Sequence, residues 1–182
     1  MVGFLRAVKS DLAEQASGMS LVDLDRQMQV VGGTPAAPFP VNVGLLVFHD
    51  EPWRWFPVAQ IDVVWFPEGA GGDRFTEKVF RGPLHRMVRE ALDYIGRNYV
   101  NETVIKHADR PVATLVRNFP PVAIEESVVN AVYHRGYDTR EPVEVQISAA
   151  ELVVLSYPGP DRSVRLDQLR GSLELPARHR MV

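Results

Sequence analysis

The sequence contains no cysteine. This absence excludes disulfide bonds, thiolate metal ligands and cysteine nucleophiles, and it is compatible with a reducing cytoplasm. The chain also lacks any apolar run near the roughly 20 residues that a transmembrane helix needs. Charge at Arg6 and Lys9 interrupts the start too early for a signal peptide. We therefore expect a cytoplasmic protein with no membrane partner.

A strongly basic balance and a P-loop motif are also missing. The formal net charge is -3 at pH 7, so any contact with DNA must be local or lie outside this chain. No Gly-Lys-Ser/Thr sequence occurs anywhere, which excludes a helicase motor of the P-loop type. The glycine-rich segment at residues 67–74 is accordingly interpreted as a hairpin loop, not as a phosphate cradle.

The residues that are present suit a folded domain, because 46% are hydrophobic and 24% are charged. Residues 4–17 predict a helix, and Ser20 predicts the cap of a second one, with Asp23 at the acidic position of a capping box. Residues 32–40 are rich in glycine and proline and indicate a connector. Residues 58–66 alternate as a strand does. The first part of the chain therefore predicts both helices and a strand.

The clearest helix follows Pro83. Apolar residues recur with helical spacing from Leu84 to Tyr99, while charged residues occupy the other side. Alternation and turn residues predict short strands on both sides of this helix and near the C-terminal end. These strands are predicted at residues 76–81, 103–106, 113–117, 143–148 and 152–155.

A second helix is predicted over residues 121–135, with a stop at Gly136. Most of its residues are apolar, which is typical of a buried helix. Glu126, Asn130 and His134 follow one another at i, i+4 spacing and form a line on this apolar surface. We call these three residues the polar line. If the polar line is buried, its members require partners.

Two interpretations of the polar line are open. In the simpler one, its side chains satisfy one another or nearby backbone groups, as polar residues in a core usually do. In the other, the line belongs to a nucleotide site, where the Glu126 carboxylate activates a water and the Asn130 amide oxygen helps coordinate magnesium. The spacing alone is compatible with both.

A family resemblance favours the nucleotide site. The motifs that carry it are I-E-E-S-V-V-N-A-V-Y-H-R-G-Y, E-P-V-E-V-Q-I and L-S-Y-P-G-P, together with P-V-N-V-G-L-L-V-F, G-G-D-R-F and R-G-P-L-H-R-M earlier in the chain. They resemble, in the same order, motifs of bacterial proteins described as transcriptional regulators. In that family an AlbA-like (Schlafen-type) DNA-binding domain precedes a GHKL-type, histidine-kinase-like ATP-binding domain, often labelled as the C-terminal domain of a RecG-like helicase.

The resemblance implies an α+β fold with two parts. Residues 1–75 would be the C-terminal part of the AlbA-like domain, including a helix at residues 41–48. Residues 76–182 would be an incomplete GHKL-type α/β sandwich. The chain is therefore expected to be shorter than its relatives at both ends, and DNA binding is expected through an N-terminal portion that it lacks.

The resemblance also implies site residues, with ATP and Mg²⁺ as cofactors. Glu126 would be the catalytic base and Asn130 the metal ligand and a cofactor-binding residue. His134 and Arg135 match a His-Arg pair that lines the pocket. Tyr157 and Gly159 fall in the adenine-binding turn, where Tyr157 replaces the family's aspartate and cannot accept a hydrogen bond as a carboxylate does.

Two functions follow as hypotheses. The first is a nucleotide-binding part of a transcriptional regulator, able to act as an ATPase only within a fuller chain. The second is a non-catalytic interaction or dimerisation module with a degenerate pocket, and exposed strand edges would favour a homodimer. A basic segment near the C-terminus would contact phosphates or form a solvated tail. Its members are Arg162, Arg165, Arg170, Arg178, His179 and Arg180.

Overall fold

The fold is α+β, with a four-stranded mixed sheet that carries two long helices on one face. A computed structural model describes residues 2–69, 72–107 and 113–158. The basic C-terminal segment and Gly159 lie outside these residues. Across the part of the chain that the structure describes, no helix is both long and apolar enough to cross a membrane.

The chain begins with three short helices. They are α1 (Val2–Ala7), α2 (Leu12–Gln15) and α3 (Leu21–Gln27). The prediction of one helix over residues 4–17 is wrong, because the backbone turns at Lys9, whose φ is +53°. This turn lets Leu5 and Ala16 pack together with Leu24 in a small cluster. The predicted cap is confirmed, since Ser20 Oγ accepts a hydrogen bond from the Asp23 N–H at 3.1 Å.

The predicted connector at residues 32–40 is in fact a β-hairpin. Strand β1 (Val31–Thr34) pairs antiparallel with β2 (Ala37–Pro40). Gly33 allows the turn, because its φ is +84° and an added Cβ would lie 2.3 Å from the Ala37 carbonyl oxygen. Helix α4 (Asn42–Phe48) follows, as the family resemblance implies.

The main sheet has the order β4-β3-β7-β8. Its strands are β3 (Gln60–Phe66), β4 (Thr76–Arg81), β7 (Val143–Ser148) and β8 (Leu152–Leu155). The central β3–β7 pair is parallel, and the two outer pairs are antiparallel. All four strands were predicted, and in β3 and β7 the apolar residues alternate as expected. The boundary predicted after residue 75 falls between β3 and β4, two paired strands of this one sheet.

The crossover from β4 to β7 contains both long helices. Helix α5 (Leu84–Asn98) and helix α6 (Pro121–His134) pack on the inward-facing residues of the sheet, such as Ile61, Val63 and Val145. Between them, β5 (Glu102–Ile105) and β6 (Thr114–Arg117) pair antiparallel as a separate two-stranded sheet. Both helices and both strands are therefore confirmed.

Candidate functional site

Helix α6 begins as the sequence predicts, with Pro121 in its first turn, and it ends at His134. The side that faces the sheet is apolar and buried. Its residues are Ile124, Val128, Ala131 and Val132. These positions follow the helical repeat of about 3.6 residues per turn. They therefore determine which of the remaining residues lie on the side away from the sheet.

The polar line does not face the core. Glu126 is exposed, and Asn130 and His134 are half-buried. The polar line is therefore not buried with the core, because Glu126 lies about 200° around the helix from Ile124, given about 100° per residue. Hydrogen bonds among the three side chains are absent from the described part of the chain. The His134 ring instead contacts the Tyr133 ring edge-on, with the centroids 4.8 Å apart.

Arg135, directly after the helix, is buried. Its Nη1 donates to the Val58 carbonyl at 2.6 Å, and its Nη2 donates to the Glu141 carbonyl at 2.7 Å. The guanidinium also lies over the Tyr137 ring, 4.9 Å from its centroid. Burial lowers the pKa of Arg135, although Tyr137 and nearby carboxylates act in the opposite direction. Arg135 thus joins the end of α6 to the segments before β3 and β7, with its charge directed into the protein.

The turn after β8 lies against the C-terminal half of α6. Ser156 Oγ donates to the Ala131 carbonyl at 3.0 Å, and the Gly136 N–H donates to the Tyr157 carbonyl at 2.9 Å. A Cβ on Gly136 would come within 3.1 Å of the Pro158 ring, so a glycine suits this close approach. The structure therefore brings Tyr157, which is half-exposed, to the same end of α6 as His134.

The polar line extends away from this turn. Glu126 and His134 are eight residues apart, which corresponds to about 12 Å along the helix axis. Among the described residues, no group of three or more histidine, aspartate or glutamate side chains could hold a metal ion. Magnesium at Asn130 would consequently depend on the oxygens that a nucleotide supplies.

Two features outside the polar line were not identified from the sequence. A cavity of about 530 Å³ lies between α5, α6 and the β5–β6 hairpin, and Glu125 lines it together with Ile95, Arg117 and Ile124. Adjacent glutamates therefore face different surfaces, Glu125 the cavity and Glu126 the solvent. Only the packing of the helix distinguishes them, since their spacing in the sequence carries no such signal.

The second feature is Asp62, a buried carboxylate on the face of the sheet opposite the helices. The Gln60 Nε2 donates to its two oxygens at 2.8 and 3.0 Å. Burial raises the pKa of Asp62; the Gln60 hydrogen bond opposes this shift, and Glu77 and Glu144 add to it. Alternation in β3 already places Gln60 and Asp62 together on one face, but the burial of Asp62 is a property of the folded sheet.

Comparison with known proteins supports the fold alone. No family model matches the chain, and no curated protein matches it. Among solved structures, the chain is similar to the DIP2311 protein from Corynebacterium diphtheriae, with a TM-score of 0.56 and 18% identity. The similarity covers 77% of this chain and 28% of that protein, so the chain spans just over a quarter of its length. The predicted α+β class is confirmed.

Proposed function

We propose that this chain is the nucleotide-binding part of a transcriptional regulator, with an ATP-like nucleotide bound along the polar line of α6. The observation that carries the proposal is the position of three polar side chains on the accessible side of α6, leading to the turn at Tyr157. An extended polar surface beside an aromatic residue suits a ligand with a charged end and a flat, aromatic end.

Asn130, Glu126 and Tyr157 have distinct parts in this proposal. The Asn130 amide oxygen is suited to a magnesium ion that also binds phosphate oxygens. The exposed Glu126 carboxylate is placed to accept a proton from a water near the phosphates. The half-exposed Tyr157 ring offers a face for stacking on a base. Because a phenol replaces the carboxylate that would read adenine in the resembling family, we expect little discrimination between adenine and guanine.

In a fuller chain, we propose that nucleotide binding is coupled to a DNA-binding domain of the AlbA-like type. Residues 1–75 would then contribute the last part of that domain, together with β3, which pairs with β4 of the part that follows. Hydrolysis by this chain alone is not expected. Arg135 has no direct part in nucleotide binding, since two of its donors are already bonded to backbone carbonyls.

A second candidate is a protein-interaction module that binds no nucleotide. The outward side of α6 favours it, because Val122, Val129 and Tyr133 are 75%, 44% and 78% exposed. These residues lie beside Glu126 and form an exposed apolar surface, which is typical of an interaction site. The two candidates thus assign different ligands to neighbouring surfaces of one helix.

Calorimetry with ATP and magnesium separates the candidates. We expect heat of binding and a higher Tm, since a ligand at about 100 times its Kd stabilises a fold by about 2.7 kcal/mol. Asn130→Ala should weaken binding by about tenfold or more when magnesium is present, because it removes a ligand of the metal. Asn101→Ala is the matched control, since it removes an exposed amide that is not on α6.

A second pair of variants tests the assignment of the helix faces. Glu126→Gln removes a negative charge beside the phosphates and should bind nucleotide at least as tightly as the unmodified chain. Glu125→Gln changes the same group on the cavity side and should have no effect on affinity. Absence of both heat and stabilisation at millimolar nucleotide would contradict the nucleotide proposal and favour the interaction module.

A further inference from the structure

The β5–β6 hairpin stands apart from the main sheet. Every residue of both strands is exposed. Four of them are large and apolar, with exposed fractions of 56%, 45%, 55% and 43% for Val104, Ile105, Leu115 and Val116 respectively. A hairpin with apolar residues exposed on both strands is only marginally stable in water.

The outer edge of the hairpin is also unpaired. Within the described residues, β5 pairs with β6 and with no other strand. The usual protections of an exposed edge are a proline, a bulge or a charge in the middle of the strand. Residues 102–105 contain none of these, because their only charge is at Glu102, the first position. The edge is therefore open to a further strand.

The order of charges along β5 selects one kind of strand. The segment reads Glu102, Thr103, Val104, Ile105 and Lys106, with opposite charges at its two ends and a β-branched residue in its centre. If two copies align antiparallel about Val104, each Glu102 lies opposite Lys106 of the other copy. A parallel alignment in register would instead place like charges together. This segment is self-complementary about a two-fold axis.

We propose that β5 is a self-association edge through which two copies of this chain form a continuous antiparallel sheet in the order β6-β5-β5-β6. The two-fold axis passes between the two Val104 residues, and two Glu102–Lys106 ion pairs flank it. Pairs of opposite charge directly across an antiparallel sheet are stabilising, and symmetric pairing is the usual arrangement of homodimers. The inference does not depend on nucleotide binding, since β5 is not part of the polar line.

The contact is small. Two short strands bury less than the roughly 1,600 Å² of a standard interface. We therefore expect a dimer that dissociates on dilution, and analytical ultracentrifugation over a wide concentration range should show a reversible shift between monomer and dimer.

Charge reversal tests the proposed register. Lys106→Glu leaves only negative charges at the two ends of β5, so self-association should weaken by about tenfold or more. The double variant E102K/R117E leaves only positive charges there and should weaken it similarly. In the unmodified hairpin, Arg117 Nη2 lies 3.6 Å from Glu102 Oε2. The double change keeps an ion pair at these two positions, with the charges exchanged.

An equal mixture of the two variants provides the decisive measurement. Each end of one variant then faces the opposite charge on the other, so the mixture should form a heterodimer about as strong as the unmodified homodimer. Arg89→Glu on α5 makes the same change of charge as Lys106→Glu outside the hairpin and should leave self-association unchanged. Val104→Lys, which puts two positive charges at the axis, should abolish it independently.

Three results would overturn the proposal. One is an unmodified chain that stays monomeric up to about millimolar concentration, well above the Kd expected of a specific contact. Another is self-association that Lys106→Glu and Val104→Lys leave intact, which would place the interface elsewhere. The third is a failure of the mixture to associate although circular dichroism shows both variants folded.

Discussion

Helices α5 and α6 lie side by side on the same sheet, yet their outward sides differ. Both bury a complete apolar side, represented by Met87, Ala91 and Ile95 in α5 and by Ile124 and Val128 in α6. The outward side of α5 is charged, through Arg86, Arg89, Glu90, Asp93 and Arg97. The outward side of α6 combines apolar residues with the three members of the polar line, and its residues are Val122, Glu126, Val129, Asn130, Tyr133 and His134.

This difference separates a helix whose outward side is charged from one whose outward side is partly apolar. A surface helix normally carries one apolar side, whereas a helix that is apolar almost all around is normally covered. Helix α5 follows the first pattern, and its charged outward side is suited to contact with water. Helix α6 lies between the two patterns, because Val122, Val129 and Tyr133 are exposed beside polar residues on its outward side. The outward side of α6 is therefore the surface to which both proposed functions assign their ligand.

The largest effect is expected in the core beneath α5. Ile95 is fully buried, so Ile95→Ala should lower the free energy of unfolding by about 2–5 kcal/mol through lost contacts and a new cavity. Arg89→Ala, on the outward side of the same helix, should change it by less than about 0.5 kcal/mol. Urea denaturation measures both, and equal losses would contradict the assignment of the two sides.

Removal of the buried guanidinium at the end of α6 should have the next largest effect. Arg135→Met leaves the Val58 and Glu141 carbonyls without their donors, which should cost on the order of 3 kcal/mol. Arg135→Lys retains the charge but cannot reach both carbonyls in the same way, so its loss should be smaller. If urea denaturation shows Arg135→Met to be as stable as the unmodified chain, the guanidinium does not join these segments.

A pH-dependent effect of intermediate size is expected at Tyr137, whose hydroxyl donates to the Val132 carbonyl of α6 at 2.9 Å. Burial raises its pKa to about 12 from an ordinary value of 10.0, and Arg135 acts in the opposite direction. The unfolded chain therefore loses this proton first as the pH rises. The contribution of the buried Tyr137 hydroxyl to the free energy of unfolding is complete below pH 10 and is lost between pH 10 and about 12.

Tyr137→Phe isolates this contribution. The variant should lose less stability between pH 8 and pH 11 than the unmodified chain, by on the order of 1 kcal/mol. Tyr99, whose pKa is also raised to about 12 by burial and by Tyr94, remains in both proteins and cancels in the comparison. Identical pH profiles from denaturant titrations would show that the Tyr137 hydroxyl does not titrate with folding.

The smallest effect is expected on the outward side of α6. Tyr133→Ser should change stability by less than about 0.5 kcal/mol, because the side chain is exposed. The adjacent Val132→Ser is the contrasting variant, since it puts a hydroxyl into the core and should destabilise several times more. A loss at Tyr133 comparable to that at Val132 would show that the outward side of α6 is packed in solution.

The sequence predicts most of the helices and strands because their buried residues recur at a regular spacing. Residues such as Ile61, Val63 and Val145 alternate along strands, and the apolar residues of α5 recur every three or four positions. The resemblance added the helix at residues 41–48, which periodicity alone could not assign. The β1–β2 hairpin was missed, since its glycines and prolines indicate turns and its pairing depends on residues from two segments.

The tertiary structure decided the orientation of the candidate site. In a helix as apolar as α6, the sequence alone cannot say which side faces the sheet, because several sides are compatible with burial. Burial of Ile124 and Val128 in the core that they share with β7 and β8 turns Glu126 outward, and Arg135 lies inside with the Val58 and Glu141 carbonyls. The sequence by itself thus determined that a polar line exists on one helix, and only the tertiary contacts made that line accessible.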